Sequence, residues 1–121
     1  MTTVRRKGKK LIIAEDAHGI IGKAVGLMGR RSLDKNKGML FRFPFEHNWS
    51  MWMFGMRFPL DFIFVDKNMM VVHIEKTAKP FSSDPKTWKT VSSPEKFRYV
   101  IEINAGEAVR KRIKAGDVLS F

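Results

Sequence analysis

The 121-residue chain contains no cysteine, which removes disulfide staples, thiolate zinc sites and thiol catalysis together. That absence also fits a reducing compartment, and the expected location is the cytoplasm. Long apolar runs are missing too. The longest, Phe62–Val65 and Met69–Val72, are strand-sized and too short for a membrane-spanning helix. Leu11–Ala14, behind the basic start, is too short for a signal-peptide core, so no targeting segment is expected. No Pro/Gly/Ser-rich linker, internal repeat or low-complexity tract interrupts the chain, which argues for one domain.

Acidic residues are absent from the first ten positions, and basic ones are abundant there. The formal net charge is +11, and Arg5, Arg6, Lys7, Lys9 and Lys10 supply five of those charges. Residues 1–10 therefore read as a flexible basic arm ahead of a β-rich domain over residues 11–121. Such an arm attracts nucleic acid or anionic surfaces without conferring specificity. Hydrophobic residues make up 44% of the chain, enough for a core and too many for general disorder.

Leu11–Ala14 reads as a first strand. Ala24, Leu27 and Met28 stand at i, i+3 and i+4 and predict a short helix over Lys23–Met28, stopped by Gly29. Gly38–Phe43 and Trp49–Phe54 read as strands. Asp61–Val65 and Met70–Ile74 flank the polar Asp66-Lys67-Asn68 and predict a hairpin. Their consecutive apolar residues imply burial on both faces or a place in a closed barrel. Thr77–Lys96 is a long polar loop with Pro80, Pro85 and Pro94. Tyr99–Asn104 is a strand, and Gly106–Ile113 a short helix with Glu107 at its start and Arg110-Lys111-Arg112 at its end. Gly116-Asp117 is a turn before a last strand, Val118–Phe121. The expected fold is mainly β: a compact β-barrel or sandwich with one or two short helices.

Several blocks occur in a telling order: Gly26-Leu27-Met28-Gly29-Arg30, Gly38-Met39-Leu40-Phe41, Trp52-Met53, and Pro59-Leu60-Asp61 with Phe64. Tyr99-Val100-Ile101-Glu102, Ala105-Gly106 and Gly116-Asp117 follow them. From about Leu11 to the C-terminus this succession resembles the small prokaryotic family known as domain of unknown function 192. The resemblance implies a compact β-barrel or sandwich with short helices, and implies no activity, cofactor or catalytic residue. One segment departs from it. Where the family usually carries a polar Lys-Asn-Thr type of stretch, this chain has the more apolar Phe54-Gly55-Met56-Arg57-Phe58.

Arg30, Asp61 and Glu102 are charges set in apolar blocks, so an ion pair among them is the first structural expectation. As a function, the same residues with Trp52 would bind a small polar ligand or a partner segment at a barrel mouth, Arg30 gripping a carboxylate or phosphate. Two alternatives stand beside this reading. One is association with nucleic acid through Arg5, Arg6 and Lys7 together with the aromatic segment holding Trp49 and Arg57. The other is a hydrolase built on Asp61 and Glu102. Met51, Met53 and Met56 near His47 resemble thioether sets for copper(I), but methionines in an apolar chain are more simply core. His18, His47 and His73 lack metal-ligand spacing, and no serine sits in a nucleophile elbow. Neither metal nor cofactor is expected. A monomeric, non-catalytic binding domain is the leading expectation.

Overall fold

The computed structural model describes residues 1–17, 33–52, 58–79, 85 and 90–121, with Trp52 described by its backbone alone. The helix expected over residues 23–28, and much of segment 54–58 and of loop 77–96, lie outside the described residues. The strands are β1 (Thr2–Arg6), β2 (Lys9–Ala17), β3 (Lys37–His47), β4 (Met51–Trp52), β5 (Leu60–Val65), β6 (Val71–Ala78), β7 (Thr90–Val91), β8 (Phe97–Asn104) and β9 (Leu119–Ser120), with helix α1 (Glu107–Arg110) between β8 and β9.

Seven strands form one sheet in the order β6-β5-β8-β3-β2-β1-β9, and β4 pairs with β7 separately. All contacts in the large sheet are antiparallel except β2 against β3. Parallel neighbours cannot be joined by a tight turn, which accounts for the long connection between these two strands.

Alternating side chains divide the apolar residues into two clusters. One joins Val4, Ile12, Leu40, Ile63 and Ile101 to Val71 of β6 and Leu119 of β9, the two edge strands. A face that touches both edges of its own sheet must be concave. The sheet accordingly curls into a half-barrel, and its edges meet at the Met70–Val118 bridge and at Leu119 N–H donating to the Met69 carbonyl. The second cluster, on the other face, holds Met39, Phe41, Leu60, Phe62, Phe64, Phe97 and Val100. Met51 of β4 and Val91 of β7 cover part of it. Every residue of β5 is buried, as its unbroken apolar run leads one to expect of a strand covered on both sides.

The structure corrects the reading of residues 1–10 as a flexible arm. Thr2–Arg6 pairs with both β2 and β9, and Val4 is fully buried in the concave cluster. Lys7 and Gly8, at φ of 52° and 76°, form the two-residue turn that suits a twisted hairpin. Charge density there masked a strand held by one valine and one glycine. Two other boundaries also move. The strand expected over 49–54 is reduced, among the described residues, to Met51–Trp52, and β3 runs on to His47. Pro44 is tolerated because β3 leaves its β8 partner after Arg42 and rejoins it only at His47–Phe97.

Gly38 sits at a close contact between strands. A Cβ at this position would lie 2.7 Å from the Glu102 carbonyl oxygen, 3.0 Å from Ile103 Cγ2 and 3.1 Å from Ile12 Cγ2. Backbone cannot retreat as a flexible side chain can, so Gly38→Ala is expected to destabilise the fold by about 1–3 kcal/mol. Urea denaturation would read this as a lower midpoint at unchanged slope.

Candidate functional site

Asp61 and Glu102, the two carboxylates singled out in the sequence, stand on adjacent strands and point opposite ways. Asp61 pairs with Ile103, which belongs to the concave cluster; Glu102 pairs with Phe62 and Met39, which belong to the other. Because side chains alternate along a strand, the sheet lies between them. They cannot act together on one bond, and the carboxylate pair of the hydrolase reading is not formed.

Asp61 is fully buried and fully engaged. Its Oδ1 accepts the Thr77 N–H at 2.8 Å; its Oδ2 accepts the N–H groups of Gly106 at 3.1 Å and Ala108 at 3.0 Å. Gly106 is the N-cap of α1 at φ 90°, a left-handed conformation natural to glycine, and has no side chain with which to cap. The strand carboxylate supplies the missing acceptor. Asp61 is thus a structural residue and not an open ligand contact.

Glu102 is different. Only 5% exposed, it lies between Met39 and Phe62, its carboxyl makes no hydrogen bond with another described residue, and neither oxygen is both sealed from solvent and unpartnered. Burial alone pushes its pKa up to about 8. The row across this face runs Glu15, Met39, Glu102, Phe62, Glu75, so the buried acid occupies its centre. At neutral pH its carboxyl is largely protonated and can both donate and accept.

Arg30 lies outside the described residues, as do Arg57 and His18, and the expected ion pair of Arg30 with either carboxylate therefore has no described geometry. Trp52 pairs through its backbone with Thr90. Of the residues expected at a nucleic-acid interface, Trp49 is half-buried. It stacks on Phe43 with centroids 4.9 Å apart at 12°, contacts Phe45 and His47, and donates Nε1–H to the Phe45 carbonyl. Phe43 takes one face of the ring, with Phe45 and His47 set against it at steeper angles. Arg6 bonds Asp117 and the carbonyls of Lys111 and Arg112, while Arg5 and Lys7 remain exposed or partly so at the hairpin end.

An open cleft of about 410 Å³ lies elsewhere, between Glu46, Asn48, Asp66, Glu95 and Lys96. Two of its acids are tied down: Glu46 accepts the Lys67 N–H, and Asp66 those of Asn68 and Met70. His73 Nε2 stands 3.4 Å from Glu75 Oε2 on an exposed strand face. Among the described residues no three acidic or histidine groups converge on a point that could hold a metal ion.

Over residues 2–121 the sequence matches the family described as uncharacterised ACR, domain of unknown function 192. The chain belongs to that family. Two solved structures share the fold of this domain of unknown function 192 protein. One, from Sinorhizobium meliloti 1021, is provisionally described as a transcription regulator; it is 31% identical, with a TM-score of 0.84 over 97% of this chain and 90% of that one. The other, from Novosphingobium aromaticivorans DSM 12444, is a protein of unknown function; it is 30% identical, with a TM-score of 0.85 over 98% of this chain and 82% of that one. No curated protein matches. The family blocks Pro59-Leu60-Asp61 and Ala105-Gly106 are two sides of one contact here, since Ala105 N–H also donates to the Pro59 carbonyl. Sequence reasoning missed Thr77, Met39 and Phe62 as the neighbours of these carboxylates. Only strand register brings them together.

Two outcomes follow from the contrast. Asp61→Ala leaves three backbone donors without their acceptor and should cost about 3 kcal/mol or more, measured by denaturant unfolding. Glu102 binds its proton more tightly folded than unfolded. Its stabilising contribution is therefore complete below the unfolded-state value near 4.5 and is lost as pH rises to about 8. Unfolding free energies measured from pH 4 to 9 should decline across that window, by up to about 1.4 kcal/mol per unit, and Glu102→Gln should flatten the decline.

Proposed function

We propose that this protein is a non-catalytic binding domain that receives a small polar ligand or a partner segment against the sheet face carrying Glu102. One observation carries the reading: a carboxyl lying between Met39 and Phe62 on an apolar face, with no hydrogen-bond partner among the described residues. A carboxyl so placed is largely desolvated, and a ligand that meets it with an amide or carboxyl group supplies it with hydrogen bonds. The protonated carboxyl offers one donor and one acceptor, the complement of an amide edge or of a second carboxyl group. Apolar walls with a single polar group are the usual composition of small-ligand sites. Arg30 and Trp52 stay in this reading on sequence grounds, as an anion clamp and an aromatic wall. Asp61, consumed by three backbone bonds, is withdrawn from it. A cytoplasmic, monomeric protein remains the accompanying expectation.

The test is an amide-resolved NMR titration at pH 6.5 with acetamide, N-methylacetamide and short carboxylic acids. Shifts should gather at Met39, Phe62 and Glu102, and Glu102→Leu should abolish them while preserving the spectrum elsewhere. Shifts that are absent, or that persist in Glu102→Leu, refute the reading.

A further inference from the structure

Among the described residues, basic side chains far apart in the sequence come together at one place in the fold. The β1–β2 hairpin carries Lys7 at its turn and Lys9 opposite Arg6. β2 meets β3 only from Ile13 onward, so the hairpin end stands free of β3, and residues 7–10 are exposed. Arg6 reaches away from the hairpin and binds three acceptors of the segment after α1. Its Nη2 donates to the Lys111 carbonyl at 2.8 Å; its Nη1 donates to the Arg112 carbonyl and to Asp117 Oδ2, both at 3.0 Å. This clamp sets two basic stretches, far apart in sequence, side by side.

The basic surface continues past α1. Arg110 and Lys111 both donate to Asn36 Oδ1, in the turn before β3. Lys111 is shifted below the usual lysine range, first by partial burial and then by the charges of Arg110 and Lys35. Cations are thus close enough to repel one another. Nearby carboxylates offset only part of this charge: Glu107 pairs with Arg110 and also favours the charged form of Lys111, and Asp117 pairs with Arg6. Crowding like charges costs stability unless a polyanion sits against them.

We propose that the strip running from the β1–β2 hairpin across residues 111–114 to Lys35 is a docking surface for the phosphate backbone of duplex nucleic acid. β9 flanks β1 at Arg5 and Arg6, so this end of the sheet is not a bare ribbon for a groove, and the contact it offers is with the phosphate rows. Long lysine and arginine side chains on its flank meet phosphates without reading sequence. An anionic membrane is a poorer fit. Interfacial binding relies on inserted Trp, Phe or Leu, and among the described residues the exposed apolar side chains beside this strip are Val109, Val118 and Met70, the partner of Val118. The exposed aromatic Phe45 sits on β3 with Trp49 and His47, away from the strip. The surface also differs from that expected in the sequence. Trp49 has no part in it, and Arg6 serves as its internal clamp. It is independent of the Glu102 site.

Fluorescence anisotropy with a labelled 20-base-pair mixed-sequence DNA duplex tests this between 50 and 200 mM NaCl. Wild type should bind at 50 mM, with affinity falling steeply as salt rises. Replacing exposed Lys9, Lys35 and Lys114 by Gln should weaken binding about tenfold or more and reduce the log–log salt slope by about 3. Replacing exposed Lys76, Lys79 and Lys96 by Gln removes the same charge elsewhere and should weaken binding less than threefold. Circular dichroism confirms that both variants fold. Three results overturn the proposal: no duplex binding at 50 mM, equal losses in the two variants, or binding to phosphatidylserine vesicles as strong as binding to DNA at matched salt.

Discussion

Asp61 is the contact that ties β5, β6 and α1 together. Its carboxylate joins the start of β5 to the end of β6 through Thr77 and to the first turn of α1 through Gly106 and Ala108. Ala108 and Ile113, carried by α1 and the residues after it, then fill the concave cluster. From there the chain proceeds through Gly116-Asp117 to β9, whose approach bonds the first residues of β6 and whose strand pairs with β1. Without an acceptor at Asp61, nothing in α1 itself would satisfy its leading N–H groups, because the capping residue is a glycine. A four-residue helix cannot form alone, so its geometry is borrowed from the strand beneath it.

The central strands make the contrast between the two carboxylates possible. β8 lies between β3 and β5, so consecutive residues of β8 face two separate apolar environments. Asp61 is met by three backbone donors. Glu102 is met by Met39 and Phe62, and burial raises its pKa to about 8. The same residue type thus accepts three backbone bonds on one side of the sheet and lies among apolar side chains on the other. The basic strip belongs to a third region, beyond the concave cluster, where the hairpin, the residues after α1 and the turn before β3 converge.

Much of the strand content was legible in the sequence. The Asp61–Val65 and Met70–Ile74 runs, the polar turn between them and the alternation of Tyr99–Asn104 each mark a local pattern that burial enforces. The family blocks were legible for the same reason, since they sit at tight contacts such as Gly38 against the Glu102 carbonyl and Gly106 over Asp61. The first strand was hidden. Five cations in ten residues dominated the reading, while the evidence for a strand was a single buried valine and a Lys-Gly turn.

Sequence by itself determined that this chain is cysteine-free, basic and mainly β, because composition and alternation are properties of the chain alone. It also identified Asp61 and Glu102 as buried charges, since their neighbours in the sequence are apolar. Which of them is satisfied, and whether they meet, was decided by tertiary structure. Strand register assigns each residue to a face, and register depends on pairing between segments tens of residues apart. The same holds for charge. Sequence counts cations, but only the Arg6 clamp brings residues 5–10 against residues 111–114, because a hydrogen bond spanning more than a hundred positions leaves no local trace.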